Sequence, residues 1–190
     1  MKLRLMICTL PLLAAACAPF LTGTRSEEGI EEDVTQRTAG AMINDEALES
    51  RIRINLDAQE PALAEANIGV TAHNGVVLLV GQAPTPELKQ RAVEIASEAS
   101  ARIRRVHDEI EVTGNTGLLA RGNDALISTR VRTFLLTSDL DVRADIRVIT
   151  ENGTVYLMGI INRAQGDEVA AAVSDISGVT QVVKVFEYLD

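Results

Sequence analysis

Hydrophobic positions follow two different periods along the chain, and their order predicts an alternation of helices and strands. Apolar residues recur every four positions at Leu48, Ile52 and Leu56, which places them on one face of a helix. Residues 68–70 alternate apolar with small side chains, as in a half-buried strand. The continuous apolar run 76–80 predicts a second strand that is covered on both faces.

A turn signal separates these two strands. Asn74-Gly75 is the strongest short hairpin signal, because a type I′ turn needs positive φ at both central residues. Gly81 follows the second strand, and we expect a bulge or a close backbone contact there. A second helix is predicted over 87–101 and a last strand over 106–112.

The same pattern occurs twice in the chain. Residues 72–82 (AHNGVVLLVGQ) align without a gap with residues 150–160 (TENGTVYLMGI). Upstream, residues 44–56 (NDEALESRIRINL) match residues 123–135 (NDALISTRVRTFL). Two matches in the same order, with a third in the last strand of each copy, indicate an internal duplication.

The duplication predicts the fold class and the domain boundaries. We expect an α+β protein with two tandem αββαβ modules, each with two helices packed on a three-stranded mixed sheet. We also expect Asn44 or Asp45 to cap the first helix. The predicted divisions are a signal peptide (1–16), a lipidated cysteine and flexible tether (17–43), the first module (44–113), a linker (114–122) and the second module (123–190). Four glycines are predicted at turns or bulges: Gly75, Gly81, Gly153 and Gly159.

The N-terminus has the layout of a secretory signal. Lys2 and Arg4 precede an apolar run from about residue 5 to residue 13, which is shorter than the roughly 20 residues of a membrane-spanning helix. The small-residue stretch before Cys17 resembles the bacterial lipobox, which implies cleavage after Ala16 and acylation of Cys17. The alternative is an ordinary secretory cleavage near Ala16 that leaves Cys17 free.

Composition argues against several classes of function. Removing Lys2 and Arg4 from the net charge of −9 leaves −11, which disfavours nucleic acid as a partner. The only cysteines are Cys8 and Cys17, and Cys8 lies in the predicted signal peptide that is cleaved off, so we expect no internal disulfide. We predict no metal site, no cofactor and no catalytic residue, because no metal-ligand, phosphate-loop or nucleophile motif occurs in a suitable context.

The repeated plan, with an NG-V-x-L-x-G motif in each copy, resembles the BON domain. Gly75, Val77, Leu79 and Gly81 carry the motif in the first copy. Two such domains behind a lipobox resemble the outer-membrane lipoproteins of the DolP type. The resemblance implies a lipid-anchored protein on the periplasmic face of the outer membrane that supports envelope integrity and binds anionic phospholipid through its second domain. Ala18 agrees with this location, since Asp after the lipidated cysteine would signal inner-membrane retention.

A comparison between the copies identifies the candidate lipid-binding residues. Leu126 and Phe134 correspond to Ala47 and Asn55, so they are apolar in one copy only. Arg130 lies four residues from each of them, on the same side of the helix. An apolar patch with an embedded guanidinium suits the surface of an anionic bilayer. The predicted lipid-binding residues are Leu126, Arg130, Thr133 and Phe134.

Two different roles in packing are also compatible with this patch. Leu126 and Phe134 would be accounted for equally if they packed against the first module or widened the local core. The alternative function is an envelope protein-interaction module without recognition of lipid headgroups.

Overall fold

The structure, a computed structural model, describes Thr35, residues 37–140 and residues 145–189, all within one compact unit, Asp33–Asp190. The predicted signal peptide, Cys17 and most of the predicted tether lie outside the described residues. The elements in chain order are α1 (Ala39–Gln59), α2 (Pro61–Ala64), β1 (Asn67–His73), β2 (Val76–Ala83), α3 (Pro86–Glu98), β3 (Arg105–Val112), α4 (Leu118–Thr137), β4 (Arg147–Glu151), β5 (Thr154–Ile161), α5 (Arg163–Ser174) and β6 (Gln181–Tyr188).

The sheet topology confirms two α+β modules with mixed three-stranded sheets. In the first module β2 lies between β1, to which it is antiparallel, and β3, to which it is parallel. The second module repeats this order with β5 between β4 and β6. Both hairpins turn at the predicted Asn-Gly pairs, where all four residues have positive φ: Asn74, Gly75, Asn152 and Gly153.

The first helix of each module begins earlier than the sequence pattern suggested. The helix α1 starts at Ala39, because the hydroxyl of Thr38 accepts a hydrogen bond from the Ala41 amide. The prediction that Asn44 or Asp45 caps this helix is therefore wrong, and the predicted tether does not extend to residue 43. In the second module α4 starts at Leu118, so part of the predicted linker 114–122 is helical.

The two aspartates near the start of the repeat hold the hairpin turns. Asp45 accepts hydrogen bonds from the backbone amides of Asn74 (2.7 Å) and Gly75 (3.0 Å). Asp124 does the same for Asn152 (2.9 Å) and Gly153 (2.8 Å). Carboxylate acceptors satisfy the turn amides that the hairpin leaves unpaired, so the recurrence of Asp45 as Asp124 is explained by the turn that each supports.

The helices of each module cover one face of its own sheet. In the first module Ile52 from α1 and Ile95 from α3 pack with Val77 and Leu79 of β2. A corresponding cluster in the second module is built from α4, α5 and the sheet. Its buried members are Ile127, Val131, Val148, Val155, Leu157, Ile161, Val169, Val173 and Phe186.

The opposite faces of the two sheets pack against each other. Val76, Leu78 and Val80 of β2 form one apolar cluster with Tyr156 and Met158 of β5, and Val185 of β6 is also a member. Alternate residues of β2 therefore belong to two different cores, and all eight of its residues are buried. This confirms that the continuous apolar run marks a strand covered on both faces.

Polar contacts at the margins of this apolar cluster also join the modules. Arg147 of β4 donates to the carboxylate of Glu49 at 2.8 Å and to the backbone oxygen of Ala72 at 2.9 Å. At another margin Gln82 donates to Glu151 at 2.7 Å. These charge-assisted hydrogen bonds add directional contacts between the modules to an apolar interface that is itself non-directional.

The turn asparagines add a pair of equivalent contacts. Asn74 donates to Glu187 of β6 at 2.9 Å, and Asn152 donates to Glu111 of β3 at 3.4 Å. Each hairpin turn thus contacts the last strand of the other module. The two modules are therefore related by a local pseudo-two-fold arrangement in which equivalent residues make equivalent contacts.

Gly81 and its counterpart Gly159 provide a test of how strongly the backbone constrains these positions. The strand β2 continues through Gly81, which has φ of 109°, and a Cβ there would lie 1.9 Å from the oxygen of Asn67. At Gly159 the nearest atom to such a Cβ is 3.1 Å away and φ is not in the positive region. We expect Gly81→Ala to lower the free energy of unfolding by about 3 kcal/mol or more, and Gly159→Ala by about 1 kcal/mol. Urea denaturation of both variants checks this order, and equal losses would contradict it.

His73 gives the fold a dependence on pH. Burial, and next the charge of Arg37, lower the pKa of His73 from its ordinary value of 6.5, outweighing the opposite effects of Asp145 and Asp45. The folded protein then keeps the imidazole neutral where the unfolded chain already binds a proton. The contribution of His73 to the free energy of unfolding is fully present above pH 6.5 and is lost as the pH falls toward the lowered pKa.

We expect the difference in free energy of unfolding between wild type and His73→Gln to shrink as the pH falls from about 7.5 to about 5.5. The slope should be at most about 1.4 kcal/mol per pH unit, the limit for one proton. Urea denaturation at several pH values measures it. The matched control is His107→Gln, because burial also lowers the pKa of His107. The pH dependence of this variant gives the separate contribution of His107. A difference for His73→Gln that does not vary with pH would contradict the prediction.

Candidate functional site

The helix α4 carries the predicted lipid-binding residues on its solvent-facing side. Its buried residues, among them Ile127 and Val131, pack into the core of the second module. The apolar interface between the two sheets contains no residue of α4. The helix therefore lies on the outside of the second module, with one face buried and one face free.

Leu126 is the central apolar residue of the free face. Its side chain is 58% exposed, although the Ile127 side chain next to it is fully buried. Leu119, seven residues earlier and therefore on the same line of the helix, is 91% exposed. Leu119 was not among the predicted residues, because the segment before Asn123 was expected to be a linker. Its spacing of seven from Leu126 was the signal that could have included it.

The other predicted residues occupy positions around this line. Arg130 is exposed and donates from Nη1 to the backbone oxygen of Ser177 at 3.0 Å. Thr133 is also exposed and lies seven residues, or about two helical turns, after Leu126. Phe134 is only partly exposed, because it lies between the free face and the buried stripe. The structure thus brings Leu126, Arg130 and Thr133 together on one exposed surface and places Phe134 at its edge.

The charge of α4 differs from that of the other helices. It contains three arginines, at positions 121, 130 and 132, and one acidic residue, Asp124. That carboxylate is buried and occupied by the turn amides. In contrast α1 has four acidic and two basic residues, α3 three and two, and α5 two and one. The helix α4 is therefore the only one in the described part of the chain with a net positive charge.

Exposed apolar side chains also occur on α1, so exposure alone does not single out α4. Ile43 is 69% and Ile54 is 66% exposed, and their spacing of eleven places them on one line of the helix. Ile54 corresponds to Thr133, so additional apolar residues are not confined to the second copy. The property that distinguishes α4 is the combination of exposed leucines with positive charge.

Neither a metal site nor a membrane-spanning helix is found among the described residues. No group of three or more His, Cys, Asp or Glu side chains in residues 37–140 and 145–189 is arranged to hold a metal ion. Within the same ranges, no helix has the length and hydrophobicity needed to cross a bilayer.

Comparison with known proteins agrees with the duplicated fold. Residues 44–114 and 123–190 each match the sequence model of the BON domain. A 21 kDa hemolysin of Actinobacillus pleuropneumoniae is 36% identical over 156 residues, which cover 82% of this chain and 80% of that protein. The outer membrane lipoprotein DolP of Haemophilus influenzae is 32% identical over 154 residues, 81% of this chain and 79% of that protein.

More distant similarities are also present. Osmotically-inducible protein Y of Escherichia coli is 22% identical over 84% of this chain and 80% of its own length. A solved structure of CdsD, a structural protein of the type III secretion system of Chlamydia trachomatis, is 14% identical and covers 73% of this chain and 92% of that chain. Its TM-score is 0.30, so it contributes nothing to the assignment.

Two BON modules and these relatives define the class of the protein. The chain belongs to the BON-domain family and, within it, to the DolP family of envelope lipoproteins. These are families of non-enzymatic proteins.

The exposed position of Leu126 leads to a prediction about stability. We expect Leu119→Asp and Leu126→Asp each to change the free energy of unfolding by less than about 0.5 kcal/mol, because neither side chain packs in a core. Val131→Asp, in the same helix but fully buried, should cost about 4 kcal/mol or prevent folding. Thermal and urea denaturation measure these effects. A loss of about 2 kcal/mol for Leu126→Asp would indicate that this leucine belongs to a packing interface.

Proposed function

We propose that the protein is a lipid-anchored lipoprotein on the periplasmic face of the outer membrane that contacts anionic phospholipid through α4 and supports envelope integrity. The observation that carries the lipid contact is the exposed, net-positive face of α4 with Leu119, Leu126 and Arg130. The similarity to an outer membrane lipoprotein supports the location. Acylation of Cys17 would supply the anchor.

The physical reason is that this face matches the chemistry of a bilayer surface. Leucines inserted among acyl chains lose contact with water, which contributes up to about 1.5–3 kcal/mol for a fully buried side chain. Guanidinium groups pair with phosphate through several N–H donors, and Arg130 uses only one of its donors on Ser177. A protein with a net charge of −9 is repelled as a whole by an anionic membrane, so a local positive surface is needed for such contact.

The contact would serve recognition rather than attachment. Stable anchoring needs two membrane signals, such as two acyl chains. A weak second contact on α4 then selects where in the membrane the anchored protein resides, because an anchored protein meets the lipid at a high effective concentration. On this basis α4 favours regions of the membrane that are rich in anionic lipid.

The test measures binding to vesicles without the anchor. The full chain carrying Cys17→Ser is mixed with vesicles of phosphatidylcholine alone or with added phosphatidylglycerol, and the bound fraction is measured by sedimentation. We expect binding only to the anionic vesicles, and a loss of about tenfold or more when Leu119→Asp and Leu126→Asp are combined. Phe134 is left unchanged, since it is partly buried and its replacement would also disturb the fold.

The matched control combines Ile43→Asp and Ile54→Asp, which place the same two charges on exposed residues of α1 and should leave binding unchanged. Raising the salt concentration should weaken binding to anionic vesicles, because exposed charges are screened. If the protein does not prefer anionic vesicles, or if the double variant binds as well as wild type, the lipid proposal is incorrect. Another envelope protein would then be the better candidate partner for the α4 surface.

A further inference from the structure

The first module contains a basic cleft that the lipid contact on α4 does not use. It is a depression of about 440 Å³ between the N-terminal half of α1, the Asn74-Gly75 turn and the segment between α3 and β3. Three arginines from different parts of the chain line it: Arg51, Arg102 and Arg104. We refer to this depression as the arginine cleft. Its volume is within the range of small-molecule sites.

The arginines of the cleft have donors available. Arg51 makes no hydrogen bond or ion pair with any residue in the described part of the chain. Arg102 donates from Nη1 to the side-chain oxygen of Asn44 at 2.7 Å, and this neutral contact leaves its charge uncompensated. Arg104 donates to the backbone oxygen of Asn74 and is paired with Glu187. Each guanidinium has five N–H donors, which is more than these contacts use.

The acidic residue at the cleft does not neutralise these arginines. Asp45 lines the cleft, but both of its oxygens accept from the amides of the hairpin turn. It is also paired with Arg37 at 3.1 Å and is only 4% exposed. The carboxylate therefore belongs to the framework of the site. Positive charge prevails on its accessible surface, although the protein as a whole is acidic.

The second module shows that the fold does not require these arginines. The position of Arg104 is occupied there by Thr180, as the equivalent backbone hydrogen bonds to Gly75 and Gly153 demonstrate. Arg102 corresponds to Gly178, and Ala47 at the cleft corresponds to Leu126. Arg51 alone has a basic counterpart, Arg130, which is bonded to Ser177. Two of the three charges are therefore additional to what a BON module needs.

We propose that the arginine cleft binds a phosphate group, carried by a free phosphorylated compound or by a lipid headgroup. Arginine forks match the geometry and charge of phosphate oxygens, and three of them around one depression satisfy several oxygens at once. The backbone of the hairpin turn is held rigid by Asp45, so the site is formed before a ligand arrives. The proposal is independent of the lipid contact on α4.

Pyrophosphate is the probe for the free-phosphate arm of the test. The isotopically labelled full chain with Cys17→Ser is titrated with pyrophosphate, with sodium chloride at matched ionic strength as reference, and backbone amide shifts are followed. We expect saturable shifts at Gly75, Ser100 and Arg102 that chloride does not produce. Arg51→Gln and Arg102→Gln should each weaken this binding about tenfold. Arg91→Gln, which removes an arginine of α3 outside the cleft, should not.

Vesicles provide the headgroup arm. The Leu119→Asp and Leu126→Asp changes are added, so that the proposed contact on α4 is removed, and bound protein is measured with phosphatidylglycerol vesicles. Residual binding that depends on Arg51, without pyrophosphate binding, identifies a lipid headgroup as the phosphate source. Pyrophosphate binding that depends on Arg51 identifies a free phosphorylated ligand. If neither probe binds, or if binding is the same in Arg51→Gln, the proposal is overturned.

Discussion

The apolar contact between the two sheets is the constraint on which the rest of the structure depends. A three-stranded sheet with helices on one face leaves its other face to be covered, and here each module covers the other. Val76, Leu78 and Val80 would be exposed to water if the first module stood alone. At about 25 cal/mol per Å² of apolar area, such burial is a major stabilising term. The contact fixes which surfaces remain free, and it leaves the helices on the outside.

The same contact explains how much of the fold could be predicted from the sequence. The period-two and period-four patterns, the Asn-Gly turns and the duplication were sufficient for the five elements of each module and their order, but not for the short additional helix α2. The run 76–80 also indicated that β2 is covered on both faces. The surface that packs on the second face of β2 could not be identified from the sequence, because apolar side chains specify burial but not the partner. The orientation of the modules depends on margin contacts such as Arg147 with Glu49, which are distant in sequence and follow no local pattern.

The starts of the first helices show a different limit of sequence reasoning. Asn44 and Asp45 resemble a capping sequence, since short polar residues before an apolar stripe are typical of a helix start. The aspartate instead lies inside α1 and accepts from a turn that is 29 residues away along the chain. In the second module the predicted linker 114–122 excluded the first turn of α4 from the candidate site, and with it Leu119. For the candidate site, the spacing of apolar residues along the sequence therefore identified the exposed face of α4 but not the full length of the helix.

Duplication gives this protein two equivalent positions beside each hairpin turn, and their divergence connects the two proposals. The surface around Asp45 contains Arg51, Arg102 and Arg104, whereas the equivalent surface around Asp124 contains Leu126 and Arg130. The framework is shared, because each aspartate holds its turn in the same way. A change from Ala47 to Leu126 adds apolar area, and Gly178 and Thr180 in place of Arg102 and Arg104 remove charge. One scaffold thereby presents an open surface suited to a bilayer in one copy and a polar cleft suited to a discrete anion in the other. Because the aspartate and the turn do not vary, the fold tolerates this exchange of surface chemistry without a change in its core.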